Sequence, residues 1–300
     1  MADVSRTALA RLLLYLIPAL WSTNYVGARA AAGAIGAHQL ALARWSIAFL
    51  LMLPFAWPEL RARWPQWRGE WPRLLVLGAL GMWICGAFVY VAAETTLAIN
   101  IGLIYAFAPV LIGVASVWML GERLERRQLA GAALSLLGVT VILFKGSPAA
   151  LRAFALTPGD LWIGIAVLSW SGFSILQRRW PSALGPFART VAVTGAGILV
   201  LIPFTLAETA SIGLPRPSLH LAGLVLVVAV LPGVVAYQAY AFVQREFGAA
   251  RTAVVLYLGP LYSGLIAWVL LAETPGLHHA LGAALILPGL RLATGVRRAR

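Results

Sequence analysis

Aromatic and amide side chains recur at helical spacing inside the long apolar runs of this chain. Trp21, Asn24 and Tyr25 share one helix face, because residues three and four apart are neighbours on a helix. Later runs carry similar residues: Trp83 and Tyr90; Trp170, Ser174 and Gln177; Tyr237 and Tyr240; and, beside two prolines, Asn100, Tyr105 and Tyr257. Such side chains are costly to expose to lipid and tend to face the interior of a helix bundle.

These residue types favour binding rather than catalysis. Flat rings contact the apolar part of a solute, an indole face attracts an ammonium group, and amides and hydroxyls hold a polar end. We therefore predict that these residues line one central chamber for a small amphipathic molecule. A second interpretation stays open, because Trp and Tyr are also enriched at membrane interfaces as anchors.

The composition places these residues in a membrane protein. Of the 300 residues, 61% are hydrophobic and 11% are charged, whereas a soluble chain carries about 25% charged residues. Ten runs approach the roughly 20 apolar residues that cross a bilayer: 8–27, 36–57, 73–93, 97–119, 127–144, 160–177, 186–206, 218–241, 249–271 and 277–294. We predict an all-α membrane protein with ten transmembrane helices, surrounded by membrane lipids.

One pattern of special residues occurs twice, 151 positions apart. The two sets are Pro109, Glu122, Gly131 and Gly138, and then Pro260, Glu273, Gly282 and Gly289. The pattern predicts a duplication, with a first five-helix repeat at 1–145, a linker at 146–159 and a second repeat at 160–300. Because five is an odd number, the second repeat must be inserted upside down. The two copies then form an inverted pair, with the solute path at their interface.

Pro109 and Pro260 predict helix kinks near the middle of the membrane. Each lies 13 residues before a glutamate at a helix end, about 20 Å along a helix. Proline lacks the N–H donor and clashes with the carbonyl four residues back, so we expect bends that release the carbonyls of Tyr105 and Leu256. We expect the bends to shape the path; a bend that serves only packing is the alternative.

The glutamates and glycines of the repeat predict framework roles. Glu122 and Glu273 lie at helix ends, where a carboxylate can pair with an arginine or cap the start of another helix. The four glycines allow close contact between helices, as small residues do in membranes. We therefore expect these six residues to support the site without lining it.

The net charge of +13 is unevenly distributed along the predicted topology. Seventeen arginines fall on the side of both termini: Arg6, Arg11, Arg61, Arg63, Arg68, Arg73, Arg123, Arg126, Arg127, Arg178, Arg179, Arg245, Arg251, Arg291, Arg297, Arg298 and Arg300. The opposite loops carry four basic residues: Arg29, Lys145, Arg152 and Arg216. This bias predicts that both termini are cytoplasmic. Nucleic acid is not an expected partner, because no groove-reading or base-stacking element is visible.

Two segments resemble the tandem EamA repeats of the drug/metabolite transporter superfamily: "GLIYAFAPVLIGVASVWMLGERLERRQLAGAALSLLGVTVIL" and "YQAYAFVQREFGAARTAVVLYLGPLYSGLIAWVLLAE". The resemblance implies a ten-helix exporter of amino acids or other small metabolites in a bacterial inner (plasma) membrane. The aromatic amino acid exporter branch is most similar, through "LWST", Trp83 and Trp170. Ala106 and Ala108 depart from that branch, where aromatic side chains are expected.

The sequence also bounds the mechanism. No metalloprotease, hydrolase-elbow or P-loop motif is present, so we expect neither an enzyme nor a cofactor. The acidic residues fall in loops or at helix ends, which predicts facilitated uniport or exchange, with Glu94 the one candidate for proton coupling.

The cargo is expected to be a small molecule, and a monomer is compatible with the pattern. Export of cationic or amphipathic toxic compounds remains an alternative. A nucleotide-sugar transporter is less favoured, with Arg44 as its main deep cation.

Overall fold

Ten helical rods follow one another along the chain. The computed structural model describes residues 2–31, 33–96, 101, 104–145, 147, 157–271 and 276–294. Within them the rods are α1 (Ala2–Ala31), α2 (Ala37–Ala62), α3 (Trp64–Ala93), α4 (Ala108–Leu120), α5 (Arg126–Leu143), α6 (Pro158–Arg179), α7 (Pro186–Ile212), α8 (Leu219–Phe247), α9 (249–271) and α10 (Leu277–Thr294). No strand occurs in the described residues, and the prediction of an all-α fold is confirmed.

Six rods are long and apolar enough to cross a membrane by themselves. They are α2, α3, α5, α6, α7 and α8, while α4 is apolar but shorter, at 13 residues. Several rods extend beyond the predicted spans, because polar helix ends continue past the apolar window. The fourth rod differs most, since α4 begins at Ala108 rather than at residue 97. Residues 97–100 lie outside the described part of the chain.

Local capping explains where several helices begin. Ser218 precedes α8, and its hydroxyl accepts a hydrogen bond from the Leu221 N–H at 3.1 Å. Before α5, the side chain of Gln128 turns back and accepts from the Glu125 N–H at 2.8 Å. Such caps satisfy N–H groups that the first turn of a helix leaves unpaired.

Carboxylates from distant helices cap three further helix starts. Glu122, at the end of α4, accepts from the N–H groups of Ala249 and Ala250 at 2.9 and 3.2 Å. In the same way Glu208 accepts from the first N–H groups of α2, and Glu59 accepts from the Gly185 N–H that precedes α7. The repeated glutamate of the first half is therefore a helix cap, one of its two expected roles. Glu273 lies outside the described residues.

The repeat glycines join the ends of the two halves. A Cβ built on Gly138 would lie 2.8 Å from the carbonyl oxygen of Gly282, and one built on Gly282 would lie 2.8 Å from that of Gly138. Gly131 and Gly289 face each other in the same way. Antiparallel α5 and α10 therefore meet backbone to backbone, as the sequence predicts for small residues in a membrane. The reciprocity is what an inverted pair of repeats produces.

The two prolines differ in their surroundings: the helix is interrupted before Pro109, which corrects the expectation of a bend within a continuous helix there, whereas it continues through Pro260. Pro109 lies in the first turn of α4, directly after the turn at residues 106 and 107. Pro260 lies in the first turn of the second α-helical part of α9, Gly259–Leu271, after a 3-10 segment over Val254–Leu258. Proline is well suited to a first turn, where its missing N–H is not needed. The carbonyl of Leu256 is not released, since it accepts from the Gly259 N–H.

Two π-helical segments occupy matching places in the two halves. One covers Ala79–Ile84 in α3, and the other covers Ala229–Ala236 in α8, 150 residues later. A π-helical segment shifts the hydrogen-bond register and is often found at functional sites. Nothing in the sequence predicts these segments, because their residues belong to uninterrupted apolar runs.

The glycine contact generates a stability prediction. Gly138→Ala places a methyl group against the backbone of α10, and we expect it to lower the free energy of unfolding by about 1–3 kcal/mol through overpacking. Gly164→Ala is the matched control, because a Cβ there meets nothing within 4 Å. We expect this control to raise stability by about 0.5–1 kcal/mol through helix propensity. Thermal unfolding in detergent measures both, and equal effects would contradict the proposed close contact.

Candidate functional site

A buried arginine connects the first three helices. Arg44 lies two turns inside α2 and is 3% exposed. Its Nη1 donates to Asn24 Oδ1 of α1 at 2.8 Å and to the Tyr90 hydroxyl of α3 at 2.7 Å. The Tyr90 hydroxyl in turn donates to Asn24 Oδ1 at 2.6 Å. The guanidinium carbon lies 4.3 Å from the ring centroid of Trp45, a cation–π distance.

Part of this arrangement is repeated in the second half. Tyr90 contacts Asn24, and Tyr240 contacts Ser174 with 3.3 Å between hydroxyl oxygens; both pairs span 66 residues and the two differ by 150 positions. The position matching Arg44 is Thr194, a buried residue whose hydroxyl donates to a carbonyl of its own helix. The tyrosine contact therefore follows the inverted repeat, whereas the positive charge is found in the first half alone.

An aromatic cluster from both halves lies in the centre of the bundle. Trp21 of α1 has its ring centroid 5.2 Å from those of Trp170 and Tyr240, and 6.2 Å from that of Tyr237. Trp170 lies 5.1 Å from Tyr240 and 5.6 Å from Tyr237. Most of these pairs meet edge to face or tilted, as ring quadrupoles favour. Trp45 extends the cluster, at 4.9 Å from Tyr237, and so connects it to Arg44.

The π-helical segment of α3 fixes this cluster. Three successive carbonyls of the segment accept side-chain hydrogen bonds from three other helices. Leu80 accepts from Ser169 at 2.8 Å, Gly81 from the Tyr237 hydroxyl at 3.0 Å, and Met82 from Trp45 Nε1 at 3.1 Å. Backbone acceptors thus hold the ring positions, so the cluster is attached to the helix that carries Tyr90.

Buried donors of Arg44 and Trp170 in this region, and of two further residues, have no hydrogen-bond partner among the described residues. They are Arg44 Nε, Trp83 Nε1, Trp170 Nε1 and the Tyr257 hydroxyl. Buried polar groups in native proteins are nearly always paired, and an exception indicates an unseen water or ligand. Three of the four belong to the predicted site residues. The region therefore offers donors to a polar molecule that the packing of the chain itself does not satisfy.

The other predicted site residues lie in different surroundings. Trp83 stacks on Phe204 of α7 at 3.9 Å and contacts Phe88, so its ring points away from the central cluster. The Tyr105 hydroxyl lies 3.7 Å from Cys85 Sγ. Gln177 is half-buried, and its carbonyl accepts from Arg189.

Two predicted site residues have side chains that the structure does not describe. The side chain of Tyr25 is not described, although its backbone belongs to α1, and Asn100 lies outside the described residues. The structure thus gathers Trp21, Asn24, Tyr90, Trp170, Ser174, Tyr237 and Tyr240 around one region.

Sequence reasoning left Arg44 and Trp45 outside the site. The signal was present, since "ALARWSIAFLL" places a cation within an apolar run. Intramembrane charges mark functional sites more often than not. The partners of Arg44 could not be read from the sequence, because Asn24 and Tyr90 are 20 and 46 residues away on other helices.

Two cavities are described, and neither contains this region. One, of about 240 Å³, is apolar and lies between α4, α5, α9 and α10, with Pro109 and Gly113 in its wall. The other, of about 380 Å³, is an open groove beside Met52, Phe55 and Phe187. The first cavity touches the break before α4, so one of the two predicted prolines borders open space. The aromatic cluster itself is closely packed.

The repeated tyrosine contact predicts that replacing the tyrosine by phenylalanine lowers the free energy of unfolding by different amounts in the two halves. Tyr90→Phe removes an acceptor from a buried cation, and we expect a loss of about 1.5–3 kcal/mol in the free energy of unfolding. Tyr240→Phe is the matched control in the second repeat, where the partner is a neutral hydroxyl and the expected loss is about 1 kcal/mol or less. Thermal unfolding in detergent compares the two, and a larger loss for Tyr240→Phe would contradict the role assigned to Arg44.

Comparisons with known proteins agree with this architecture. A family model described as the EamA-like transporter family matches residues 9–144 and again residues 157–295. A solved crystal structure shares the fold, with a TM-score of 0.74 at 23% identity over 95% of this chain and 96% of that one.

Curated relatives extend the comparison. An uncharacterized transporter of Archaeoglobus fulgidus is 25% identical over 94% of this chain and 96% of its own length. The uncharacterized transporter YyaM of Bacillus subtilis is 24% identical over 75% and 73%, respectively. A protein of Chlamydia trachomatis described as an S-adenosylmethionine/S-adenosylhomocysteine transporter is 24% identical over 70% of this chain and 66% of its own length. Because the family model matches both halves, this chain belongs to the EamA-like transporter family and is a membrane transporter with two EamA repeats.

Proposed function

We propose that this transporter exports small amphipathic metabolites, chiefly amino acids that include the aromatic ones. The supporting observation is the central cluster, where rings from both repeats surround buried donors that lack partners. Rings suit an apolar side chain, and the indole and phenol donors suit a carboxylate or carbonyl. The residues of one repeat would not form this cluster by themselves, since Trp21 and Trp170 come from opposite halves.

Alternating access follows from two inverted halves that meet around one site. The close packing of the cluster corresponds to a state in which the path is closed there. The break before Pro109, the 3-10 segment before Pro260 and the paired π-helical segments give each half a place where a helix can change direction. Opening on either side would then separate rings that are in contact in this state.

The direction and the membrane are part of the same proposal. The bias of arginines towards the side of both termini supports cytoplasmic termini in a bacterial inner membrane. Outward transport of metabolites is the activity that the family resemblance implies. A single copy of the chain suffices, because both halves of the site come from one chain.

Transport without proton coupling is the proposed energetics. A proton relay needs an ionisable group inside the membrane. The described carboxylates Glu59, Glu122 and Glu208 are engaged at helix starts, and Glu94 is exposed at the end of α3. Uniport or exchange down a concentration gradient requires none of them.

One relative supports a second cargo. The Chlamydia trachomatis protein carries S-adenosylmethionine or S-adenosylhomocysteine by its description. Both molecules combine an amino-acid head with a flat adenine ring, so the same site chemistry would serve them. Cationic toxic compounds are a weaker alternative, because the described residues of the cluster offer a cation but no carboxylate. Nucleotide sugars also remain less favoured, with Arg44 as their main deep cation.

Uptake into proteoliposomes tests the cargo. We expect labelled phenylalanine and tryptophan to enter faster than threonine, and a quaternary amine not to enter, because the rings and the cation select an aromatic acid. S-Adenosylmethionine is included as the second cargo. Movement of the amine without any amino acid would overturn the proposal, and accumulation driven by an imposed pH gradient would overturn its energetics.

A change of ring tests the cluster. Trp170→Phe keeps an aromatic ring but removes the unpaired Nε1 donor, and we expect uptake of phenylalanine to fall about fivefold, the value of one lost hydrogen bond. Trp118→Phe is the matched control, since Trp118 is 86% exposed on α4. Initial uptake rates at equal protein amounts give the comparison. Equal rates for both variants would return Trp170 to a packing role.

A further inference from the structure

Arg44 is a buried cation whose neighbours are neutral. Its hydrogen-bond partners are an amide and a phenol, and the titratable groups near it are Tyr90, Tyr237 and Cys85. No carboxylate lies against it among the residues that the structure describes. Burial of an uncompensated charge is expensive in protein or lipid surroundings. A cation retained under these conditions is a functional-site hypothesis that calls for an anionic partner.

The geometry leaves one edge of the guanidinium for that partner. The described hydrogen bonds of Arg44 all start at Nη1, and Trp45 covers a face of the group. Nε has no partner. Nε and Nη2 form the edge that binds a carboxylate through two parallel hydrogen bonds. Asn24 and Tyr90 therefore hold the side chain in a fixed orientation while its Nε, one donor of the carboxylate-binding edge, stays without a partner.

A glycine of the second repeat keeps space beside that edge. Gly233 lies in the π-helical segment of α8, and a Cβ built on it would be 3.9 Å from Arg44 Nε and 3.6 Å from the Cβ of Ala48. Both values are ordinary van der Waals contacts, so the position tolerates a small side chain. As glycine it leaves room for about one methyl-sized group beside Nε, since the nearest further atom to such a Cβ is the Val228 carbonyl oxygen at 3.4 Å.

We propose that Arg44 binds the carboxylate of the transported molecule through its Nε–Nη2 edge, with Gly233 providing the space. The inference rests on the proposed function and makes it narrower: the substrate class is organic carboxylates with an apolar body. The carboxylate lies beside Arg44 and Trp45, and the apolar body extends over Tyr237 towards Trp21 and Trp170. The charge thus defines one end of the site and the ring cluster the other.

The proposal explains why the second repeat has no cation at the position that matches Arg44. The matching residue Thr194 satisfies itself within its own helix. A molecule with one anionic end needs one cation, and two cations facing one chamber would repel each other. An inverted pair can therefore share its framework while binding its cargo in one orientation.

The first experiment uses the unaltered protein. Uptake of labelled phenylalanine into proteoliposomes is measured in the presence of one of four unlabelled competitors: L-phenylalanine, L-phenylalanine amide, phenethylamine or 3-phenylpropionate. We expect the two carboxylates to compete at least about tenfold better than the amide and the amine, the value of a charged hydrogen bond. Equal competition by all four would overturn the role of Arg44.

The same panel separates this inference from the proposed function. Ligand-induced thermal shifts of the purified protein are measured for all four compounds, independently of transport. Stabilisation by 3-phenylpropionate without stabilisation by phenylalanine would refute amino acid export and support the carboxylate site. Stabilisation by phenylalanine and phenethylamine alike would support an amine-bearing cargo and refute the carboxylate site.

Two sets of variants complete the test. Arg44→Gln is expected to lose the preference for carboxylates, whereas Arg189→Gln, which removes another arginine bonded to backbone carbonyls, is expected to keep it. Gly233→Ser places a hydroxyl beside Nε, and we expect weaker carboxylate competition with no loss of unfolding temperature. Gly223→Ser on the same helix is its control, since nothing lies within 4 Å of a Cβ there.

Each variant can contradict the proposal by itself. A folded Arg44→Gln protein that keeps the preference for carboxylates would overturn it. If that variant does not fold, Gly233→Ser decides the matter, because a Cβ at this position approaches its neighbours no closer than 3.4 Å. Unchanged competition in Gly233→Ser relative to Gly223→Ser would overturn the placement of the carboxylate beside Nε.

Discussion

The buried guanidinium of Arg44 imposes a condition that several helices must meet together. A charge this deep is tolerated only when neighbouring groups replace its water. Asn24 and Tyr90 do so from α1 and α3, and Trp45 adds its ring from the same helix. The first half of the bundle is therefore built around a cation. Since none of these partners carries a negative charge, the arrangement stabilises the position of the cation without neutralising it.

The need to satisfy buried polar groups also explains the irregular segments of the helices. In a membrane each backbone group must be satisfied within the protein. The π-helical segment of α3 meets this condition by offering the carbonyls of Leu80, Gly81 and Met82 to side chains of other helices. Distant carboxylates such as Glu122 satisfy the N–H groups at helix starts. The departure from a regular helix in α3 thus connects that helix to three others and positions the aromatic cluster.

Symmetry and its local loss divide the molecule into framework and site. Glycine contacts between α5 and α10 and the tyrosine contacts at 90 and 240 obey the inverted repeat. Arg44 does not, since Thr194 takes its place in the second half. Symmetric elements suit alternating access, because the two end states then use equivalent contacts. Residues that differ between the halves are the ones available for recognising a cargo that is itself asymmetric.

Hydropathy and residue spacing alone determined the all-α membrane fold, the duplication and the framework roles of Gly138, Gly282 and Glu122. These properties are local or periodic: a run of about 20 apolar residues predicts a spanning helix, and glycine at a helix face permits close approach wherever the partner lies. Seven of the predicted site residues also gather in one region, because polar residues of buried helix faces converge. Tertiary structure alone decided that Trp83 turns away towards Phe204 and that the prolines lie in the first turns of α-helical segments. It also decided that Arg44 lies against Asn24, Tyr90 and Gly233. The physical reason is that these outcomes depend on which helices become neighbours and at what rotation, information that no single apolar run contains.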